Sequence, residues 1–286
     1  MVAPRPAVQN DMDTVAILTD SSARIPRTTH RLMVVPVLIH LGGEVLRGDS
    51  PGVAGRVYEA LRRDEPVKSS APSVIEYVAA IERAPARSVV VITPASEFTG
   101  MFRNALVAAE LSGRQVHVVD SRTAAAAHGL VVLEAVRIAE AGGSMERVVA
   151  AAADAAQRAE LVATLDSLEY VRRSGRLPAT AVDVAWVLGE RPVFRLRQGL
   201  VERLALERSG ESALERVMHE ATQRAIATAT NRVVFHAADP ERAARLQREL
   251  EVSDVTEFSP SMGIHTGPGV VGIAWLAGRE GSHSSS

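Results

Sequence analysis

Along the first half of the chain, short unbroken apolar runs alternate with longer stretches whose apolar residues recur every three or four positions. Thr14-Val15-Ala16-Ile17-Leu18-Thr19 is too short for a helix and apolar almost throughout, as a strand buried on both faces must be. Asp20-Ser21-Ser22 and Pro26 stop it. Residues 32–41 form a second such run, and residues 53–63 place Val57, Ala60 and Leu61 at helical spacing. A helix over 74–84 is entered through Pro72-Ser73, a good cap, and is followed by a strand over 88–93. A helix over 100–112, a strand over 115–119 and a long alanine-rich helix over 123–140, ended by Gly142-Gly143, complete the series. Regular alternation of this kind predicts an α/β domain over residues 14–145, with a parallel sheet covered by helices on both faces.

The rhythm then changes. A helix over 144–159 leads to a strand over 162–165, a helix over 167–173, the Gly175 turn and a further helix to about residue 188. Residues 193–196 and 200–206 read as a hairpin turned at Gln198-Gly199. A helix over 212–229, a strand over 232–236, a helix over 240–250 and strands over 253–258 and 270–276 follow. Residues 146–278 are therefore expected to form a second α/β domain with a mixed sheet. Residues 1–13 and 279–286 read as a disordered start and a flexible tail.

Composition narrows the function. The 286 residues are 47% hydrophobic but only 3% aromatic, so the cores are built from Ala, Val, Leu and Ile. Lys plus Arg number 32 against 34 for Asp plus Glu, a net charge of -2, and no basic field exists to hold nucleic acid. The absence of cysteine removes disulfides, thiolate metal sites and thiol nucleophiles, and fits a cytoplasmic protein. No stretch approaches the roughly 18 apolar residues of a membrane span, and the N-terminus lacks a secretory pattern. An integral membrane segment is not expected.

Ligands of a parallel sheet gather where the strands end and helix N-termini converge. Four hydroxyl-rich loops are placed there: Thr19-Asp20-Ser21-Ser22, Lys68-Ser69-Ser70-Ala71-Pro72-Ser73, Thr93-Pro94-Ala95-Ser96-Glu97-Phe98-Thr99-Gly100, and Asp120-Ser121-Arg122-Thr123. For any one of these hydroxyls, helix capping is the commoner role. The second half adds Ser261-Met262-Gly263-Ile264-His265-Thr266-Gly267-Pro268-Gly269, a turn whose small residues let a group approach the imidazole. His30, His40, His117, His128, His219 and His236 lack metal-ligand spacing and read as structural or surface residues.

These loops, in this order, resemble the DegV family over nearly the whole chain. The family's T-D-S-[ST]-x-x-[IL]-P is matched by Thr19-Asp20-Ser21-Ser22-Ala23-Arg24-Ile25-Pro26, and V-V-P-L by Val34-Val35-Pro36-Val37. Its [KT]-[ST]-x-P-S loop is Ser69-Ser70-Ala71-Pro72-Ser73, and S-S-x-L-S-G-T is Ala95-Ser96-Glu97-Phe98-Thr99-Gly100-Met101. V-x-D-S appears as Val118-Val119-Asp120-Ser121, and L-E-Y-L-x-x-G-R-[IL] as the stretch from Leu168 through Arg176 to Leu177. G-x-H-x-G-P-G is complete at 263–269. Ala95 and Met101 remove hydroxyls from the third loop, Arg191 replaces a usual lysine, and the basic run after the hairpin is thinned to Arg208-Ser209-Gly210-Glu211.

The resemblance implies a non-enzymatic carrier that buries one long-chain fatty acid between its domains. Its carboxylate would be held by Ser69, Ser96 and His265, with Ser21, Ser70, Thr99, Gly100, Asp120, Ser121, Thr266 and Gly267 in the surrounding loops. A fatty acid kinase subunit would be the partner, phosphorylating the carboxylate and docking on Arg172, Arg173, Arg176 and Arg208. No G-x-x-x-x-G-K-[ST] loop is present, so ATP belongs to the partner; no cofactor or metal is expected. The competing classes are a serine hydrolase, with Ser96 or Ser21 as nucleophile and His265 as base, and a lipid-responsive regulatory module. The chain contains no G-x-S-x-G elbow.

Overall fold

The computed structural model describes residues 14–25, 29–175, 189–224, 228–229 and 231–278. Strands β1 (Val15–Asp20), β2 (Leu32–Val35), β6 (Ser88–Thr93) and β7 (Gln115–Asp120) form a parallel sheet in the order β2-β1-β6-β7. Its two buried faces follow the strand period of two. Ala16, Leu18, Val89 and Val91 pack under α2 (Val74–Glu82) and α3 (Met101–Leu111), while Ile17, Val90 and Ile92 face α4 (Ala125–Glu140) and α5 (Met145–Arg158).

The run over 32–41 is not one strand. Pro36 has no N–H to give a ladder, and the Val37 N–H donates instead to Ser21 Oγ at 2.9 Å, which turns the chain out of the parallel sheet. The remainder, β3 (Leu38–Leu41), pairs antiparallel with β4 (Glu44–Arg47) and β5 (Val67–Ser70) in a separate three-stranded sheet, followed over by α1 (Val53–Arg62). Ser69 and Ser70, expected in a loop at the end of a parallel strand, thus lie on β5 in this smaller sheet.

The mixed sheet expected in the second half has six strands, ordered β10-β9-β8-β13-β11-β12: Leu200–Glu207, Arg191–Arg197, Ala159–Thr164, Val271–Leu276, Asn231–His236 and Asp254–Glu257. Only β11 and β12 run parallel; the other neighbours are antiparallel. One face packs on α7 (Gly210–Gln223) and α8 (Pro240–Glu249), the other on α4, which touches strands of both large sheets. A single apolar core therefore runs from Ile17 and Val90 through the alanines of α4 and α5 to Leu161 and Ala274. The helix expected up to residue 188 lies outside the described residues. No described helix is long and apolar enough to cross a membrane.

Candidate functional site

His265 does not sit in a turn. It lies on α9 (Pro260–Thr266), a short helix between β12 and β13 that starts with Pro260, carries Gly263 and stops at Gly267, a poor helix former by propensity. Tertiary packing explains it. A Cβ on Gly263 would stand 2.6 Å from the Tyr58 ring, and one on Gly267 would stand 2.2 Å from Tyr170. The two tyrosines press on the helix on either side of His265, and Gly267, at φ +80, ends it in the left-handed region. Burial raises the Tyr58 pKa, with the Glu257 charge adding to it, so its phenol stays neutral; it donates to the Phe258 carbonyl at 3.4 Å. Beyond the helix, Gly269 makes room for Asp166. Arg242 spans Asp166, Asp239 and the Gly269 carbonyl, holding the segment that leads into β13.

So placed, His265 Nε2 lies 3.0 Å from Ser69 Oγ, across 196 positions of sequence. His265 borders two spaces, and Ser69 the second of them. On one side is a cavity of about 210 Å³ whose wall is almost wholly apolar, lined by Phe98, Met101, Leu168, Val171, Phe194 and Met262 among others. At the roughly 30 Å³ that a water-sized group takes up in the liquid, it has room for about seven of them, part of a long alkyl chain. On the other side is an open polar cleft of about 570 Å³ bordered by Asp64, Lys68, Ser69, Tyr170 and Arg173. His265 and Ser174 border both.

The hairpin supplies the cavity's far wall. Phe194 pairs with Arg203 and Leu196 with Val201, so all four side chains share one face of β9 and β10 and line the cavity. Its Gln198-Gly199 turn is pinned to the loops of the parallel sheet: Gly199 N–H donates to the Arg122 carbonyl at 2.6 Å, and Arg122 reaches the Gln198 carbonyl at 3.0 Å and Glu97 at 2.9 Å. Arg203 received no role in the sequence analysis; its only signal is its alternation with Val201.

The other expected residues divide. Thr99 and Thr266 line the cavity, and Thr266 Oγ1 also donates to the Met262 carbonyl. Ser96 is exposed: its N–H donates to Asp120 and its hydroxyl lies 3.5 Å from Glu97. Its loop meets the cavity through Pro94, Phe98, Thr99 and Met101 instead. Ser70 lies 3.0 Å from His40, Ser21 accepts from Val37, and Gly100 opens α3. Asp120 accepts from Ser96 and Arg122, and buried Ser121 meets His128 at 3.0 Å. Arg172 and Arg173, on α6 (Glu169–Ser174), both pair with Glu169, and Arg173 also with Asp64 at 2.8 Å. Arg208 is exposed just past β10, and Arg176 lies outside the described residues. Among the described residues no group of three metal-ligating side chains occurs.

This geometry can be set against known proteins. Residues 14–278 match the family model described as uncharacterised protein, DegV family. The chain belongs to the DegV family. A DegV domain-containing protein of Streptomyces coelicolor is 32% identical over 272 residues, covering 91% of this chain and 97% of its own length. One from Mycobacterium tuberculosis is 33% identical over 275 residues, covering 91% and 96%. Among solved structures, a DegV family protein from Thermus thermophilus described as binding fatty acid aligns with a TM-score of 0.82 at 23% identity, over 92% of this chain and 99% of that one. Bacillus subtilis DegV, described as a fatty acid binding protein, aligns at 0.79 with 23% identity and the same coverage. At these identities the solved DegV structures share the fold of this chain.

Proposed function

We propose that this DegV chain is a fatty-acid carrier that buries one long acyl chain and presents its carboxylate to a partner kinase for acyl phosphate formation. The observation that carries the reading is the position of His265, which borders both an apolar cavity and an open polar cleft and meets Ser69 on the cleft side. A ligand with a long apolar tail and a single anionic head matches that division. Burying about 14 methylenes at roughly 0.8 kcal/mol each gives on the order of 11 kcal/mol, an upper bound before ordering and association costs. The tail thus supplies affinity.

The head supplies orientation. Taking a carboxylate out of water costs several kcal/mol unless donors meet it, and a hydroxyl and an imidazole N–H at the boundary are such donors. In this reading Thr99, rather than Ser96, is the hydroxyl of the third loop that faces the ligand. The polar cleft, bordered by Arg173, leaves the head within reach of a partner, for which Arg172, Arg173 and Arg208 are the proposed docking residues. The fatty acids named for the Thermus thermophilus and Bacillus subtilis proteins support the same ligand class here.

The test is mass spectrometry of lipid extracted from purified protein, paired with an ester-hydrolysis assay. One equivalent of a long-chain fatty acid and no turnover is the expected result. Turnover that vanishes in Ser69→Ala would turn the same Ser–His pair into a nucleophile and base and make the chain a hydrolase.

A further inference from the structure

We propose that His128, which the activity above does not use, is a positioning residue that locks the cavity-forming loops in place. It lies on α4, fully buried, and reaches two loops at once: Nε2 is 3.1 Å from Thr19 Oγ1 at the end of β1, and Nδ1 is 3.0 Å from Ser121 Oγ in the loop after β7. Thr19 spends its hydrogen on the Ile92 carbonyl at 3.0 Å, so its oxygen accepts from the imidazole. In the neutral ring this is the Nε2–H tautomer, with Nδ1 accepting from the Ser121 hydroxyl at 3.0 Å, closer than that hydroxyl's other acceptor, the Thr123 carbonyl at 3.4 Å. Asp20 Oδ2, 3.7 Å from Nε2 and with no hydrogen-bond partner among the described residues, faces the same N–H.

Each contact continues to the cavity wall. Asp20 Oδ1 accepts the Ser22 N–H at 2.8 Å, and Ser22 lines the cavity. Ser121 N–H donates to the Thr93 carbonyl at 3.0 Å, and the Thr123 carbonyl accepts from Ala95 at 2.8 Å; Pro94 and Ala124, the residues beside these, also line it. The neighbour of His128, Gly129, packs so closely that a Cβ there would stand 2.5 Å from the Ala23 carbonyl. One turn of α4 therefore sets the positions of three loops that form one side of the ligand space.

The inference rests on the fatty-acid reading, and its test separates the two. Palmitate affinity would be measured by displacement of a fluorescent fatty acid from wild type, His128→Leu and His128→Gln, with long-range proton–nitrogen NMR of the His128 ring in the wild type. The expected result is a loss of about tenfold or more in His128→Leu, the scale of a buried polar contact, with recovery to within about threefold in His128→Gln, whose amide can still donate at that depth. The NMR spectrum should show the Nε2–H tautomer. Equal binding by wild type and His128→Leu, or a ring protonated at Nδ1 alone, would overturn the role of His128. If His128→Leu does not fold, the glutamine variant and the tautomer decide. A wild-type chain that takes up no palmitate would remove the fatty-acid reading and this inference together.

Discussion

The two ends of the ligand space are built by different physics. At the head end every contact is a placed atom: Ser69 against His265, the tyrosine rings against Gly263 and Gly267, Asp166 against Gly269. At the hairpin wall the contributors are side chains of one face, Phe194, Leu196 and Val201, which act through area and volume. Hydrogen bonds and tight backbone approaches are lost all at once when displaced, whereas apolar contact falls off gradually with the surface removed. The head end should therefore tolerate almost no substitution, and the hairpin wall should respond in proportion to the atoms removed.

The harshest test of that contrast is Gly267→Ala. The new Cβ meets Tyr170 at 2.2 Å and forces a side chain onto φ +80, so overpacking and backbone strain add. Destabilisation of about 2–4 kcal/mol is expected in urea unfolding. A change under 0.5 kcal/mol would show that α9 can shift and that the head end is softer than described. Next in size is His265→Leu, which should weaken palmitate binding by about 10- to 100-fold and leave hexadecanol, which has no carboxylate, within a few-fold of wild type. An equal loss for both ligands would move His265 from head-group recognition to general packing.

How much of this was legible in the sequence follows the same division. Strands such as 14–19 and 88–93 could be read because unbroken apolar runs have few alternatives, and Gln198-Gly199 marks the hairpin turn in which both residues take positive φ. The head end was not legible in place. β5 is four residues, Val67–Ser70, with only one apolar side chain, and its pairing with β3 is the only reason it is a strand. α9 carries a proline and a glycine and ends at a second glycine, and is helical because Tyr58 and Tyr170 pack against Gly263 and Gly267. Its motif showed that His265 needed small neighbours, without showing what pressed on them. His128 gave no signal beyond being one histidine in an alanine-rich helix, since its partners lie 109 positions before it and seven positions before it.

The hairpin wall predicts a milder outcome. Phe194→Ala removes a large ring from the cavity wall, leaving space the tail can follow. Palmitate should bind roughly tenfold more weakly, while longer or branched acids lose less, so the preferred chain length moves upward in a competition series. A uniform loss across all chain lengths would mean that Phe194 supports the fold of the hairpin and not the shape of the cavity.

The smallest effect concerns protons, and it asks whether the polar head end also governs the response to acid. His236, at the end of β11, has a pKa lowered from 6.5 chiefly by burial, against the opposing pull of Glu257 and Asp239. Its Nδ1 accepts the Asp239 N–H at 3.3 Å, which only the neutral ring can do while that nitrogen is bare. Because the folded chain binds this proton less readily than the unfolded chain, stability is complete above the unfolded value of 6.5 and declines as the pH falls through the folded one. Denaturation midpoints measured downward from pH 7 should therefore drop in wild type, and His236→Asn should flatten that part of the curve without changing palmitate affinity. A slope that survives the substitution would show that His236 does not carry it.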